Sequence, residues 1–259
     1  FGASNWNVTQ VMVLSAVNDN VDENDEVVSV SWLVSSVDVK YSSLNSLPLL
    51  SVSVVDDDVA GIFCGPSAIT MVEGGRSNVS CVLRSEPTSS VVLSLSSLFG
   101  NVTFSTSSMT FVGSNWMSNQ VVDVTAFSDM IDEDVSVDAI SVSVSTQDSK
   151  YGSIVVSVIP VTVDDDDTAG LLVSESNVTV VEGGSSSSVS LVLRSEPLSE
   201  VTVNASWSGS QIASVPSFLV FGASNWNVTQ LMVLSAVDDN VDEDDEVVSV
   251  SWLVSSVDV

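Results

Sequence analysis

Apolar and polar side chains alternate with a period of two wherever apolar residues cluster along this chain. An apolar residue takes every second position, and serine or another polar residue takes most positions between, in residues 28–34, 93–96, 140–145 and 201–207. Successive side chains of a β-strand point to opposite faces of its sheet, so this pattern predicts strands with one buried and one polar face. No stretch combines helical spacing with capping residues. We therefore expect an all-β protein.

Turn-forming residues separate these runs at intervals of about 8–12 residues, the spacing of a β-sandwich. They include Gly74-Gly75, Gly183-Gly184, Ser85-Glu86-Pro87 and Ser195-Glu196-Pro197. About seven strands are predicted in the middle of the chain, near residues 61–72, 78–84, 91–97, 101–111, 119–127, 138–146 and 154–163. A β-sandwich is the fold that this pattern favours.

The chain contains an internal repeat. Residues 1–39 and 221–259 are identical at 36 of 39 positions, and a diverged copy begins midway between them at Phe111. The spacing is 110 residues, so the sequence is a tandem array with a unit of about 110 residues. Arrays of this kind build length, surface or rigidity.

Runs of aspartate mark the predicted domain boundaries, because each run precedes an Ala-Gly pair and the next strand. We divide the chain into the C-terminal part of one sandwich (residues 1–58, unit 1), a complete sandwich (59–167, unit 2) and the N-terminal part of another (168–259, unit 3). No flexible linker separates these units, which favours a stiff rod. The rest of units 1 and 3 is expected in a continuing chain or, alternatively, in a second chain that adds a strand.

The charge of the chain excludes several kinds of partner. It has 34 acidic residues, 5 basic residues and no histidine, which gives a net charge of −29. Such a surface repels nucleic acid and anionic lipid but attracts multivalent cations. The apolar runs are far shorter than the ~20 residues of a transmembrane helix. We therefore predict neither nucleic-acid binding nor membrane insertion.

An enzymatic function is not expected. Because the chain has no histidine, it cannot form a Ser–His or Cys–His pair. A glycosidase needs only two carboxylates, which the composition allows. However, the acidic residues recur at the same places in each unit, and this recurrence favours a structural role.

The turn Val72-Glu73-Gly74-Gly75, the acidic loops and the terminal aspartate runs resemble the Calx-beta family. Repeats of that family are Ig-like sandwiches of similar length, with an early V-x-E-x-G, a late acidic D-D-x-x-x-E-x-x-E loop and a final D-D-D. The resemblance covers the chain unit after unit and implies tandem Ig-like, Calx-beta-like sandwiches. The segments Asn5-Trp6, Asn115-Trp116 and Asn225-Trp226 are more similar to diverged arrays of this type in large secreted and surface proteins.

The resemblance implies calcium sites at one end of each sandwich, beside the next domain. The implied ligands are carboxylates of the acidic loops, the V-E-G-G turns and the aspartate runs: Asp19, Glu23, Glu26, Asp56, Asp57, Asp58, Glu73, Asp129, Glu133, Asp164, Asp165, Asp166, Glu182, Asp238, Asp239, Glu243 and Glu246. Calcium takes about six to eight oxygen ligands, which such groups supply. In unit 2, serines replace two loop acids, and Asp132, Asp134 and Asp138 could compensate. The alternative is a solvated acidic loop without metal.

Six N-x-S/T sequons predict N-linked glycans. They lie at Asn7, Asn78, Asn101, Asn177, Asn204 and Asn227. Four of them carry threonine, although serine is much commoner in the chain. We expect Asn101, Asn177 and Asn204 on the polar face of strands, where a bulky glycan has room.

Cys64 and Cys81 are the two cysteines of the chain. They align with Val173 and Leu191 of unit 3, so they are either a disulfide between the first two strands or two buried apolar side chains. A disulfide that closes a loop of this length contributes about 3 kcal/mol. We predict the bond, since the other features indicate a secreted protein.

The few basic residues also recur at fixed places. Lys40 and Lys150 occupy equivalent positions, each two residues after an aspartate. On so acidic a chain, we expect these lysines to pair locally with Asp38 and Asp148.

These features favour a structural repeat protein of an extracellular filament or surface appendage. Its glycosylated sandwiches would join head to tail, self-assemble into a fibre and be stiffened by calcium at the junctions. Mastigoneme-type flagellar hairs are an assembly that the array resembles. Two alternatives stay open at this point, the stalk of a calcium-dependent cell-surface adhesin and a calcium-sensing module of a larger regulator.

Overall fold

Residues 1–257, which the computed structural model of the chain describes, form strands joined by turns and irregular loops. The strands of units 2 and 3 form mostly antiparallel sheets that pack face to face as immunoglobulin-like β-sandwiches. The fold is therefore all-β, as the alternation of apolar and polar residues predicts. Helices in this part of the chain are too short or too polar to span a lipid bilayer.

Unit 1 contributes a two-stranded sheet. Strand β1 (Glu26–Val30) pairs antiparallel with β2 (Leu50–Val54), and the single-turn helix α1 (Val39–Ser42) lies between them in sequence. Asp38 caps this helix by accepting a hydrogen bond from the Lys40 amide at 2.9 Å. The valines of β1 and β2 stay partly or fully exposed, because residues 1–58 form no second sheet to cover them.

Unit 2 forms a two-sheet sandwich of nine strands. They are β3 (Ile62–Gly65), β4 (Ile69–Val72), β5 (Arg76–Leu83), β6 (Val91–Ser97), β7 (Val102–Phe104), β8 (Ser108–Phe111), β9 (Gln120–Ala126), β10 (Ser136–Thr146) and β11 (Ile159–Asp164). One sheet has the order β3-β5-β9-β7 and the other β4-β11-β10-β6-β8. Strands β4 and β11 pair in parallel, whereas their neighbours pair antiparallel.

The core of unit 2 lies between these two sheets. Along β5, Val79, Cys81 and Leu83 are buried while the residues between them are not. Strand β10 buries Asp138, Ile140 and Val142 in the same way. Burial of every second side chain is the physical origin of the period-two pattern in the sequence.

The structure corrects the predicted count of seven strands to nine. The predicted strand 61–72 is two strands in different sheets, since the chain crosses between the sheets at Gly65-Pro66 and proline has no amide to donate to a ladder. The predicted strand 101–111 also divides, into β7 and β8. The last strand begins at Ile159 rather than near residue 154.

Unit 3 repeats this architecture with seven strands in residues 171–256. They are β12 (Leu171–Val173), β13 (Ser187–Leu193), β14 (Val201–Ser206), β15 (Ile212–Val215), β16 (Phe218–Phe221), β17 (Gln230–Ala236) and β18 (Ser251–Ser256). They form the sheets β12-β13-β17-β15 and β16-β14-β18. Residues 178–181 align with β4 but form no strand, because no counterpart of β11 lies beside them within residues 171–257.

A disulfide joins Cys64 and Cys81. The two cysteines are direct partners across β3 and β5, with their Cα atoms 4.2 Å apart. Val173 and Leu191 occupy the same paired register in β12 and β13 of unit 3. Of the two sequence-based alternatives, the structure has the covalent one in unit 2 and an apolar pair at the equivalent place in unit 3.

Candidate metal centre

Glu73 is positioned by the glycine turn between β4 and β5. The turn requires Gly74, because its φ of +63° lies in the left-handed region that other residues rarely adopt. The Glu73 amide donates to the Asp164 carbonyl at 2.9 Å, and the Gly74 amide donates to the Phe127 carbonyl at 3.3 Å. Glu73 is thereby held between the end of β9 and the end of β11.

The acidic loop after β9 folds around its own carboxylates. Asp129 Oδ1 accepts from the Ile131 amide at 2.8 Å, and the Asp129 amide donates to Glu73 Oε2 at 3.3 Å. The Glu133 amide donates to Asp165 Oδ2 at 3.2 Å. The loop therefore touches both Glu73 and the aspartate run.

The aspartate run after β11 completes the cluster. One carboxylate oxygen from each of Glu73, Asp165 and Asp167 lies within 4.8 Å of the other two. Oδ2 of Asp167 is buried and has no hydrogen-bond partner among the described residues. A buried carboxylate oxygen without a donor is costly unless a cation or a proton satisfies it.

The electrostatics of the cluster favour a bound cation. Burial raises the pKa of Glu73, and the nearby charges of Asp129 and Asp165 raise it further. Burial also raises the pKa of Asp167, together with the charge of Asp165. Ionised carboxylates at this spacing repel one another, so a divalent cation among them would remove the repulsion.

The donor set fits calcium better than other common metals. It consists of carboxylate oxygens on two segments, the glycine turn and the aspartate run, without nitrogen or sulfur ligands. Hard oxygen donors in an irregular arrangement suit Ca²⁺, whereas Mg²⁺ demands near-octahedral geometry and zinc prefers histidine or cysteine. Glu73, Asp165 and Asp167 would hold the ion, with Asp129 beside them.

No protein-family model and no curated protein matches this chain. Several solved structures show a weak similarity to it. CBD12 of CALX1.2 is 14% identical with a TM-score of 0.33, over 76% of this chain and 83% of that one. The apo-form Calx CBD1 domain is 18% identical with a TM-score of 0.33, over 42% of this chain and 100% of that one. The class 5 fimbriae chaperone CfaA is 7% identical with a TM-score of 0.31, over 73% of this chain and 98% of that one.

The structure brings together part of the predicted ligand set of unit 2. Glu73 and Asp165 belong to the cluster, and Asp129 and Glu133 touch it through their amides. Asp164 ends β11 and Asp166 is exposed, so neither carboxylate is among the three that converge. Asp167 was missing from the predicted ligands. Alignment on the Ala-Gly pairs could have found it, since this alignment matches 56–58 with 165–167.

Unit 1 has a second carboxylate cluster at its junction with unit 2, formed by the aspartate run alone. Oxygens of Asp56, Asp57 and Asp58 lie within 4.8 Å of one another, and the Glu23 amide donates to Asp56 Oδ2 at 3.0 Å. Burial raises the pKa of Asp58, and the charges of Asp57 and Asp56 add to this effect. The predicted ligands of this unit line one cavity of about 530 Å³: Asp19, Glu23, Glu26, Asp56, Asp57 and Asp58.

Unit 3 keeps the turn and the loop. Burial raises the pKa of Glu182, followed by the charges of Asp239, Glu243 and Asp238. Asp239 Oδ1 accepts from the amide two residues later at 2.7 Å, as Asp129 does. Glu243 accepts a hydrogen bond from the Gln211 side chain. Glu246 is exposed and makes no hydrogen bond to this group within residues 171–257.

The junction between units 1 and 2 is made of backbone and side-chain contacts that cross the boundary. Asp22 Oδ2 accepts from the Ala60 amide at 2.7 Å, and the Glu86 amide donates to the Asn20 carbonyl at 2.6 Å. The junction between units 2 and 3 repeats both contacts. The Ala169 amide donates to Asp132 Oδ2 at 2.7 Å, and the Glu196 amide donates to the Met130 carbonyl at 2.6 Å. Asp22 and Asp132 thus connect consecutive units.

Lys150 adds the ion pair of the first junction. Its ammonium lies 2.5 Å from Asp22 Oδ1 and 2.9 Å from the Glu23 carbonyl, both in unit 1. The expected pairing with Asp148 is wrong for the ammonium, because Asp148 Oδ1 accepts from the Lys150 amide instead. The Ala60 amide and the Lys150 ammonium together hold the pKa of Asp22 below its ordinary value.

Tyr151 fixes the surface of unit 2 that receives unit 1. Its hydroxyl donates to the Ser85 carbonyl at 2.7 Å and accepts from the Ser85 amide at 3.0 Å. Asp148 accepts from the amide and hydroxyl of Thr88 at 2.8 and 2.9 Å. These bonds fasten the Lys150 turn to the loop that carries Glu86.

Replacing Lys150 with methionine should loosen the first junction. The pair is partly exposed, so we expect a loss of at most about 1 kcal/mol from the contact between the units. The measurement is a double-mutant cycle with Asp22→Asn, read from hydrogen exchange at residues 19–23. Lys40→Met is the control, since Lys40 forms no ion pair within residues 1–257. Equal effects of the two lysine variants would contradict this role of Lys150.

Asp138 does not compensate for missing ligands in unit 2, contrary to one expectation. Its carboxylate is buried and accepts from the amides of Leu98, Phe99 and Asn101 at 3.0–3.1 Å. Ser97 Oγ and the amide of Ala139 also donate to it. With its oxygens occupied by these donors, Asp138 holds the β6–β7 loop and is not available to a metal.

The sequons occupy different environments. The asparagines at 7, 78, 177 and 227 are exposed, whereas Asn101 and Asn204 are half-buried. The Asn101 amide group donates to the Val137 carbonyl at 3.2 Å, so a glycan there would replace a structural hydrogen bond. Asn101 and Asn177 lie outside strands, which corrects their predicted placement, while Asn204 lies on β14.

Proposed function

We propose that this chain is part of an extracellular structural array, in which Ca²⁺ bound at the junctions stiffens a row of β-sandwiches. The observation that carries the proposal is the buried, unpartnered oxygen of Asp167 beside Glu73 and Asp165. A cation at this place would join the glycine turn, the acidic loop and the aspartate run.

Calcium at this place would act on the junction because the same segments touch the next unit. Residue 167 is two positions before Ala169, whose amide donates to Asp132 in the acidic loop. An ion bound to Asp167 therefore restrains the backbone that leaves unit 2. The loop of unit 3 that carries Glu196 is joined to the acidic loop of unit 2, because the Glu196 amide donates to the Met130 carbonyl.

An extracellular location and N-linked glycans belong to the same proposal. Disulfides persist in oxidising compartments, and the chain has the bond between Cys64 and Cys81. Exposed sequons support glycosylation at Asn7, Asn177 and Asn227, whereas a glycan on Asn78 would cover the outer face of β5. Millimolar extracellular calcium would fill at least about half of even the weakest sites of this type. The flagellar-hair comparison stays an analogy from the sequence, and no catalytic role is proposed.

Calcium titration of the intact chain tests the proposal. Isothermal calorimetry should show binding with a Kd no weaker than about 1 mM, and small-angle scattering should show a narrower distribution of end-to-end distances after Ca²⁺ is added. Mg²⁺ at the same concentration is the control ion. Absence of calcium binding, or binding that leaves the scattering unchanged, would refute the proposal.

A further inference from the structure

An apolar patch recurs on the outer face of the same sheet in units 2 and 3. In unit 2 it consists of Phe63 on β3, Val82 on β5 and Val121 on β9. In unit 3 the equivalent positions hold Leu172, Val192 and Leu231. We call these two groups the flank patches.

The register makes each flank patch continuous. Phe63 is the cross-strand partner of Val82, and Leu172 is the partner of Val192. Val121 is paired with Ser80 and Leu231 with Ser190, so each lies diagonal to the valine of its patch. Diagonal neighbours on one face of a sheet are close enough for large side chains to touch.

The patch of unit 3 extends further along the sheet. Val233 follows Leu231 on the same face and is the cross-strand partner of Val215, which is 69% exposed. Phe63, Val121, Leu172 and Leu231 are also well exposed, at 65, 56, 47 and 57%. These side chains face away from the core, so the packing of the sandwich does not explain them.

The opposite sheet of unit 2 presents a different surface. Its outer face carries exposed serines on β6 and β10: Ser94, Ser96, Ser143 and Ser145. Its two exposed valines, Val72 and Val137, lie on strands that do not pair with each other. The two outer faces of one sandwich therefore differ in polarity. Single exposed apolar residues are normal, but a contiguous patch at the same register in two units indicates a contact surface.

Charge is absent from the sheet that carries the larger patch. Strands β12, β13, β15 and β17 contain no aspartate, glutamate, lysine or arginine, although the chain has a net charge of −29. Two such faces can approach each other without bringing carboxylates together, whereas the same face of unit 2 carries Arg76 and Asp123 beside its patch. A strongly acidic chain otherwise resists close self-association.

We infer that the flank patches are the surface by which two copies of this chain associate side by side. A partner copy presents patches of the same chemistry at the same repeat spacing. Each patch is small beside the ~800 Å² per partner that a stable interface requires, so one patch gives only a weak contact. Contacts between the patches of successive units strengthen one another, because the first contact raises the effective concentration of the next pair of patches.

The inference deepens the proposed function and rests on it, since it names the surface that would assemble rods into a fibre. It does not depend on calcium binding. A chain that binds Ca²⁺ and stays monomeric overturns the flank contact alone. A chain that associates through the patches without binding Ca²⁺ overturns the junction proposal alone.

Sedimentation velocity of the full chain, produced without glycans, tests the inference. The weight-average sedimentation coefficient should rise with protein concentration, and should rise further in about 1 M NaCl, where the Debye length is only about 3 Å. The double variant Leu172→Ser, Leu231→Ser should weaken this association about tenfold or more. A wild-type chain that stays monomeric at high micromolar concentration in both salts overturns the inference.

Leu253→Ser is the matched control. Leu253 is 56% exposed, nearly the same as Leu231, but lies on β18 of the other sheet. The association constant of this variant should stay within about twofold of the wild-type value. An equal loss of association in both variants would indicate non-specific hydrophobic association and would contradict the flank contact. As a second measurement, Leu231→Cys should form an interchain disulfide on mild oxidation, and Leu253→Cys should not. The reverse cross-linking pattern contradicts the proposed surface.

Discussion

Replacing Asp167 with asparagine is expected to stabilise unit 2 without metal and to destabilise it with Ca²⁺. In the metal-free chain the change removes one of three converging carboxylates, whose buried Oδ2 lacks a donor. The free energy of unfolding should therefore rise by about 1 kcal/mol in EDTA. With Ca²⁺ the same change removes a ligand, so the affinity should fall by about tenfold or more.

The pH dependence of the metal-free chain has a definite sign. Glu73 and Asp167 have folded-state pKa values above their ordinary values of 4.5 and 3.8. Between these ordinary values and the higher folded-state pKa values, the folded state binds more protons than the unfolded state. The contribution of both groups to stability falls over that window. Asp167→Asn should make the fall shallower, and Ca²⁺ should abolish it.

Thermal unfolding of the intact chain in EDTA and in Ca²⁺ measures both effects, with hydrogen exchange at residues 120–167 to assign them to unit 2. Asp123→Asn is the control, because it removes one carboxylate from the exposed face of β9, away from the cluster. It should change the free energy of unfolding by no more than about 0.5 kcal/mol in either condition. If Asp167→Asn destabilises the chain equally in EDTA and in Ca²⁺, the metal role of Asp167 is wrong.

Replacing Asp138 with alanine is expected to be the most destabilising of these changes. The substitution removes the side-chain acceptor of the Phe99 and Asn101 amides, whereas the Leu98 amide keeps its hydrogen bond to the Ala139 carbonyl. A partly buried donor without a partner costs about 1–3 kcal/mol, so we expect a total loss of about 2–4 kcal/mol. Asp138→Asn keeps one acceptor oxygen and should cost less.

Acid sensitivity distinguishes this role from a metal site. Burial alone would raise the pKa of Asp138, but the hydrogen bonds from Ser97 and the loop amides outweigh it and lower the pKa below 3.8. The stabilising contribution is thus complete above pH 3.8 and is lost as pH falls through the folded-state pKa. Ca²⁺ should not change it.

Hydrogen exchange at residues 97–101, followed through urea unfolding, measures the loss in unit 2 separately from the other units. Asp123→Ala serves as the exposed control. A loss below about 1 kcal/mol for Asp138→Ala would show that the loop finds other acceptors.

The fold could be predicted from local patterns because burial on one face of each strand leaves a direct trace in the sequence. Strands β5, β10 and β14 are each recognisable from alternating residues. The errors lie where tertiary context decides. Residues 178–181 resemble β4 in sequence but lack the parallel partner that β4 has in β11.

The candidate site was predictable to the extent that its parts are local motifs. Glu73 belongs to a glycine turn, and Asp129 folds its loop by bonding to Ile131 two residues later. Contacts between distant segments could not be predicted in the same way. Lys150 meets Asp22 across 128 positions of sequence, and nothing near either residue specifies the other.

The parallel pairing of β4 with β11 determines how unit 2 responds to tension. Strand β4 lies near the start of the unit and β11 at its end, and they share four register pairs. A force that pulls the two ends of the unit apart slides these neighbours past each other in shear. Their hydrogen bonds then carry the load together and rupture together, so a row of such units resists extension better than hairpins that peel open one bond at a time.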